Sequence, residues 1–332
     1  MSSISFETKK VRFHRDGQLA DMGVKAGTRK KYGMAVERFE RWREVERVEV
    51  YNMSETDIAM AYYFQFLYSE GYPKNWASDC LNGCILECPP LKGHLATAAK
   101  WLKNWNSSHQ TESHPPVTWP LACLIAIRMC LSGWVDEAVG VLLSFDCYLR
   151  PGELCGLAVA DIAFPADARL GGFTINGMLR LRDTKTGPNQ PVELRNELVI
   201  RMLACLVRGK AGVDPVFAFS YNVFGDRLKR VCSMLGLTGC GFTPHSLRAG
   251  GATFDAGRGV SQADIKRHGR WESDKVVKTY VQTGQALPMA ITLPPAVALH
   301  AKAIADELEK SFLESLPSGC ATFRRLGEAM SI

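Results

Sequence analysis

His245 and Arg248 stand three residues apart in the stretch Thr243-Pro-His-Ser-Leu-Arg-Ala-Gly-Gly-Ala-Thr253, so on a helix beginning near Pro244 both project from one face. An imidazole and a guanidinium side by side suit a bound phosphate. Gly250 and Gly251 strip the next turn of side chains, which lets another backbone approach closely. Downstream come Gly269-Arg-Trp271 and then Tyr280, carried on a short helix expected over Ser273–Thr283 with Ser273 as its cap. A phenol, with an ordinary pKa of about 10, is a poor nucleophile at neutral pH, but cations and donors around the group it attacks make it a useful one. Upstream lies Leu149-Arg150-Pro-Gly-Glu153-Leu154. Pro151 favours the start of a short helix, where a cationic side chain and freed N–H groups converge on an oxyanion, and Glu153 is placed to orient an arginine through a bidentate pair. Taken alone, Arg150 with Glu153 reads first as a structural ion pair, and the company of His245, Arg248 and Tyr280 makes that the minority reading.

In order and separation, these pieces span roughly 130 residues. The sequence His245-Ser-Leu-Arg248, a Trp nine residues before Tyr280, Tyr280 itself and the Leu149–Leu154 motif resemble the signature of the tyrosine recombinases, the phage integrase family. The resemblance implies a site-specific recombinase or integrase that breaks and rejoins DNA through a 3′-phosphotyrosyl intermediate, with no cofactor, metal or ATP. It implies Tyr280 as nucleophile; Arg150, Arg248, His245 and Trp271 around the nonbridging oxygens; Lys185, on the turn Asp183-Thr-Lys-Thr-Gly187, as donor to the leaving 5′ oxygen; and Glu153 as support for the arginines. The family most often has Gly-His where this chain reads Gly269-Arg270-Trp271, and a register one residue off would put Arg270 in that position. Three other readings share some of these features: a type IB topoisomerase, a domesticated, catalytically inactive DNA-binding protein that keeps the fold, and a plain helical interaction module.

These residues need a scaffold. Helices are expected from Thr28 (as cap, with Tyr32, Ala35, Val36, Phe39 and Trp42 on one face), over Ser54–Ser69 (capped by Ser54 with Asp57), Lys74–Glu87 and Leu91–Trp105. Arg29, Lys30 and Lys31 in the first turn of the first helix have the wrong sign for its dipole and read either as a DNA phosphate contact or as a solvated cluster. Cys80, Cys84 and Cys88 fall on a helix stripe, which suits an apolar face better than zinc. The polar, proline-ended run around 107–118, including His109 and His114, reads as a linker with both histidines solvated. Further helices are expected over Trp119–Cys130, Trp134–Tyr148, Arg195–Gly209, Tyr221–Leu235 and Ser261–His268, where His268 caps or packs. Three strands are expected at Phe173–Ile175, Met178–Arg182 and Pro191–Leu194. Ala296–Leu316 reads as an amphipathic helix, either docked on a neighbouring protomer or folded back on its own domain.

The fold class expected is mainly α (α+β): an N-terminal helical bundle joined to a mostly helical catalytic domain with a small three-stranded antiparallel sheet. The divisions expected are a mobile arm over 1–24, a core-binding domain over 25–106, a linker over 107–118, the catalytic domain over 119–284 and a tail over 285–332. The expected partner is double-stranded DNA, bound by a homotetramer on two sites, with no membrane.

Bulk properties agree with this without selecting it. The 332 residues suffice for two cores, 46% hydrophobic with 22% charged is globular, and the net charge is +6. The densest positive excess falls on 241–284, with seven Lys/Arg against four Asp/Glu. Eleven scattered cysteines favour reduced thiols. No secretory signal is visible, and the most apolar run, Leu121–Leu131, contains Arg128 and is too short to span a bilayer. An intracellular location is expected, cytoplasmic at the nucleoid or nuclear.

Overall fold

The computed structural model describes residues 24–108, 114–165, 167–171, 176–184, 187–281 and 293–314, with side chains only to 308 in the last segment. The chain divides into two compact units, residues 1–112 and 113–332.

Among its described residues the first unit has four α-helices: α1 (Ala26–Glu46), α2 (Met53–Ser69), α3 (Lys74–Glu87) and α4 (Ala96–Ser108). Phe39, Met60, Tyr63, Phe64 and Leu67 are buried at their centre, each large side chain contributing about 2 kcal/mol of apolar transfer. Cys80 and Cys84 lie in this core while Cys88 is exposed. Gly83 lets α1 and α3 touch, since a Cβ there would sit 2.8 Å from Val36 Cγ2 and 2.9 Å from the Tyr32 carbonyl.

The helix starts differ from the expected ones. Helix α1 begins before Thr28, with Lys25 at the cap position. The cap of α2 is Asn52, whose side chain accepts from Glu55 N at 2.9 Å, while the Glu55 carboxylate accepts from Tyr51 N at 2.7 Å. Asp57 is buried and serves another helix. It accepts from Thr97 N at 2.9 Å and Ala98 N at 2.8 Å, satisfying the first turn of α4. That cap sets the start of α4 at Ala96, five residues after the expected Leu91, and a 3₁₀ turn over Pro89–Leu91 precedes it.

The second unit is built around α5 (Trp119–Leu131), which is apolar on every side and buried at nearly every position. Helices α6 (Val135–Asp146), α9 (Tyr221–Met234), α10 (Pro244–Gly257) and α13 (Pro295–Glu314) pack around it. The C-terminal helix therefore takes the second of its two expected settings. Ala301, Ile304, Ala305 and Leu308 are buried in the core of their own unit, against α5. The remaining α-helices among the described residues are α7 (Pro151–Cys155), α8 (Glu197–Val207), α11 (Gln262–Gly269) and α12 (Asp274–Tyr280). Ser273 occupies the cap position of α12 without a side-chain bond, and the helix ends at Tyr280, before the expected Thr283.

The sheet is three antiparallel strands in the order β1 (Ile162–Ala163), β2 (Gly177–Thr184), β3 (Gly187–Leu194). The expected strand at Phe173–Ile175 lies outside the described residues, and the outer strand is Ile162–Ala163, paired with Leu179 and Met178. In β2, Leu179 and Leu181 are buried while Arg180 and Arg182 turn outward onto the buried Asp161 carboxylate, at 2.7 and 2.8 Å. Pro188 and Pro191 fall on β3, an edge strand, where missing N–H donors cost least. No helix among the described residues is long and apolar enough to cross a membrane.

Candidate active site

Helix α10 begins where Pro244 permits and carries both His245 and Arg248. Its two glycines let it press against the α6 end and the segment leading into α5. A Cβ on Gly250 would overlap the Val117 carbonyl and reach 3.0 Å from Phe145 Cε2; one on Gly251 would overlap the Phe145 carbonyl and lie 2.7 Å from Tyr148 Cδ1. This approach brings Arg248 beneath the turn that carries Arg150. Arg248 is fully buried; Nη1 donates to the Tyr148 carbonyl, and Nη2 donates to Gly269 O at 2.7 Å.

Arg150 sits at the cap position of α7, its N–H donating to Glu153 Oε2 at 2.8 Å and its Nη1 to Oε1 at 2.6 Å. Glu153 is shared. Its Oε2 also accepts from Arg270 Nη2 at 2.8 Å and lies 3.9 Å from Arg248 Nη1. Three guanidinium groups thus meet one carboxylate, leaving an uncompensated double positive charge. Burial first, then Arg150 and Arg270, pull the Arg248 guanidinium down to about 9, still protonated at neutral pH. Arg150 is the accessible member, with a side chain 20% exposed against 0% for Arg248 and 5% for Arg270.

Tyr280 and Trp271 close the site. Their rings stack at 4.8 Å, and the Arg248 guanidinium carbon lies 4.9 Å from the indole and 5.1 Å from the phenol ring, a desolvated cation–π arrangement. Trp271 is buried, with Nε1 lacking a hydrogen-bond partner among the described residues. Gly269 makes room for it, since a Cβ there would run into the indole.

His245 is half-buried. Burial, then His114, Arg248 and Arg150, hold its imidazole below the ordinary range, so it is neutral at pH 7 and able to accept a proton. His114 is an exposed loop residue, as expected, and its ring also lies parallel to that of His245 at 5.3 Å, while His109 lies outside the described residues. His268 packs: its Nε2 is 2.8 Å from Asp146 O and its ring stands edge-on to Tyr148 at 4.6 Å.

The structure brings Arg150, Glu153, His245, Arg248, Trp271 and Tyr280 together. Lys185 falls between β2 and β3, outside the described residues. Lys30 and Lys31 are exposed and Arg29 half-buried, all on α1 of the first unit. Arg270, which the sequence offered only through a register one residue off, takes a left-handed backbone (φ 56°) at the end of the α11 turn and tucks its side chain under Glu153. A charged residue between Gly269 and Trp271 is the only trace of it in the sequence.

No family model matches the sequence, and no curated protein does. Solved structures do. A lambda integrase dimer bound to a COC′ core site aligns over 80% of this chain and 91% of its own with a TM-score of 0.54 at 15% identity. The Tn1549 transposon integrase in complex with transposon right end DNA aligns over 81% and 95%, with a TM-score of 0.54 at 13% identity. A lambda integrase tetramer bound to a Holliday junction aligns over 79% and 73%, with a TM-score of 0.52 at 14% identity. A helical bundle followed by a helical unit with a three-stranded sheet is the fold shared with these structures: the chain has the fold of the tyrosine recombinases.

Proposed function

We propose that this protein is a site-specific DNA recombinase that cuts and rejoins strands through a covalent tyrosyl intermediate. The observation that carries the reading is the charge balance at Glu153. Arg150, Arg248 and Arg270 surround one carboxylate, with a phenol stacked on the most buried of the three. Such a pocket is stabilised by an added anion, and a phosphodiester offers one within reach of the phenol.

In this reading the Tyr280 oxygen attacks the scissile phosphorus, the bond to the 5′ oxygen breaks, and a 3′-phosphotyrosyl ester forms. The tyrosyl proton passes to His245, which is neutral and therefore able to take it. Arg150 and Arg248 hold the nonbridging oxygens as charge grows on them, with the Trp271 indole N–H as a further donor. The proton for the leaving 5′ oxygen is assigned to Lys185 by the family resemblance. Because Tyr280 lies over Arg248, its ring has to move off the guanidinium before a phosphate can occupy that place. The phosphotyrosyl ester conserves bond energy, so rejoining needs neither ATP nor a nucleolytic metal. Lambda integrase and the Tn1549 integrase were solved on DNA, the former as dimer and tetramer, which supports duplex DNA as partner and a tetramer on two sites as the working assembly.

The test uses nicked duplexes with randomised cores, enriched by retention on the protein and built so that cleavage releases a short strand. The native protein is expected to form a denaturation-resistant adduct and Tyr280→Phe none. Retention of DNA with no adduct from either would support a DNA-binding protein instead.

A further inference from the structure

We infer that Tyr148 is a positioning residue for the two buried arginines, held in place by Asp255 and Arg195. The inference rests on the recombinase reading for what it says about rate, and on geometry alone for what it says about the arginines.

Tyr148 has a positive φ of 47°, in the left-handed region that glycine adopts freely and a bulky aromatic residue rarely does. Strain at such a place persists only where the surroundings overdetermine it. Here they do. The hydroxyl donates to Asp255 Oδ2 at 2.5 Å, and the same oxygen accepts from Arg195 Nη2 at 2.7 Å. The ring lies 6.0 Å from Trp271, stacked, and edge-on to His268, while Gly251 of α10 leaves it room.

The left-handed turn has one evident product. It turns the Tyr148 carbonyl toward α10, where it accepts from Arg248 Nη1 and, at 3.2 Å, from Arg270 Nη2. Two residues later the chain presents Arg150. The clamp also reaches the sheet: Arg195 directly follows β3, and its N–H donates to Asp146 Oδ2 at 3.0 Å, at the end of α6. Tyr148, Asp255 and Arg195 therefore tie together three segments: the turn before Arg150, helix α10 with His245 and Arg248, and the end of β3. Asp255 lies on α10 seven residues beyond Arg248, two helical turns along the same face.

Tyr148→Phe removes the hydroxyl tie and keeps the ring, the packing and the Asp255–Arg195 pair. Two readouts separate the inference from the recombinase reading. The first is hydrogen exchange of the Arg248 guanidinium protons, followed by ¹⁵N NMR on the full chain; Tyr148→Phe is expected to speed it at least tenfold with the melting temperature held within a few degrees. The second is the rate of adduct formation at saturating DNA, expected to fall about tenfold while DNA affinity changes less than twofold, with little further loss when Arg248→Lys is already present. Unchanged exchange in Tyr148→Phe overturns the positioning role, whatever the activity. If exchange speeds up and the native protein forms no adduct, the recombinase reading fails and the positioning of the arginines stands. Rate effects of Tyr148→Phe and Arg248→Lys that simply multiply would show that Tyr148 does not act through Arg248, and would overturn the rate part of the inference.

Discussion

Replacing Glu153 with glutamine keeps the volume of the side chain and removes the charge that three arginines share. The carboxylate is only 4% exposed. Its contacts are Arg150 N at 2.8 Å, Arg150 Nη1 at 2.6 Å, Arg270 Nη2 at 2.8 Å and Arg248 Nη1 at 3.9 Å. A glutamine offers one acceptor oxygen and turns an NH₂ group toward guanidinium donors, so at least one of the close bonds becomes a donor facing a donor. The cluster's excess positive charge rises from two to three. Arg150 is partly exposed and can turn to water, whereas Arg248 and Arg270 cannot without moving their helices. Leaving a buried charge without its partner costs about 3–5 kcal/mol. For a unit of this size, a kcal/mol corresponds to roughly 2–4 °C in melting temperature, so Glu153→Gln is expected to melt roughly 10 °C below the parent. Arg270→Met in the Glu153→Gln background removes one of the stranded cations and is expected to recover part of the loss, with a coupling energy of at least about 1 kcal/mol in the double-mutant cycle. Thermal melts at pH 7 and low salt, with urea unfolding of all four proteins, measure both. A Glu153→Gln protein melting within 2 °C of the parent, or effects of the two substitutions that simply add, would refute the claim that this carboxylate holds the arginines.

Gly251→Ala is expected to destabilise the second unit by about 3 kcal/mol, because its Cβ meets the Phe145 carbonyl and the Tyr148 ring and α10 must move away; urea unfolding reads it, and a neutral result would contradict the packing. NMR titration of the His245 ring is expected to give a midpoint below about 6.5, and His114→Ala is expected to raise it, since the stacked imidazole is one cause of the depression. His268, taken down to about 4 by burial, binds fewer protons folded than unfolded between about 4 and 6.5, so its contribution to stability is complete above that window and is lost as pH falls through it. Asp146, raised to about 6 by burial, has the opposite slope. Only the difference between the parent and His268→Asn isolates the imidazole, and the parent is expected to lose about 3 kcal/mol more than the variant between pH 7 and pH 4. Parallel stability curves for the two proteins would count against the buried neutral imidazole.

What the sequence disclosed was local. The three-residue step from His245 to Arg248, the glycines after them and the proline after Arg150 each act through their own stretch of backbone, so spacing was enough to place them on α10 and at the start of α7. The alternation in Leu179-Arg180-Leu181-Arg182 revealed β2 for the same reason. What stayed hidden depends on partners far along the chain. Asp57 looked like a cap for its own helix because a nearby serine completed the pattern; its true partners are backbone N–H groups 40 and 41 residues on. Arg270 entered only as a one-residue shift of the Trp271 position, and only the turn of α11 sends it under Glu153. Ile162–Ala163 is two residues long, too short for any period to show. For the C-terminal helix, Ile304 and Leu308 announced an apolar face but not what covers it, and the answer, α5, is a helix apolar on all sides that needs such a cover.

The chemical identity of a trapped protein–DNA linkage tests the central claim most directly. Digestion of the adduct followed by mass spectrometry is expected to find a 3′-phosphorylated DNA end joined to the oxygen of Tyr280, in the peptide that begins after Lys278. A linkage through another residue, or to a 5′ phosphate, would contradict the account of this site.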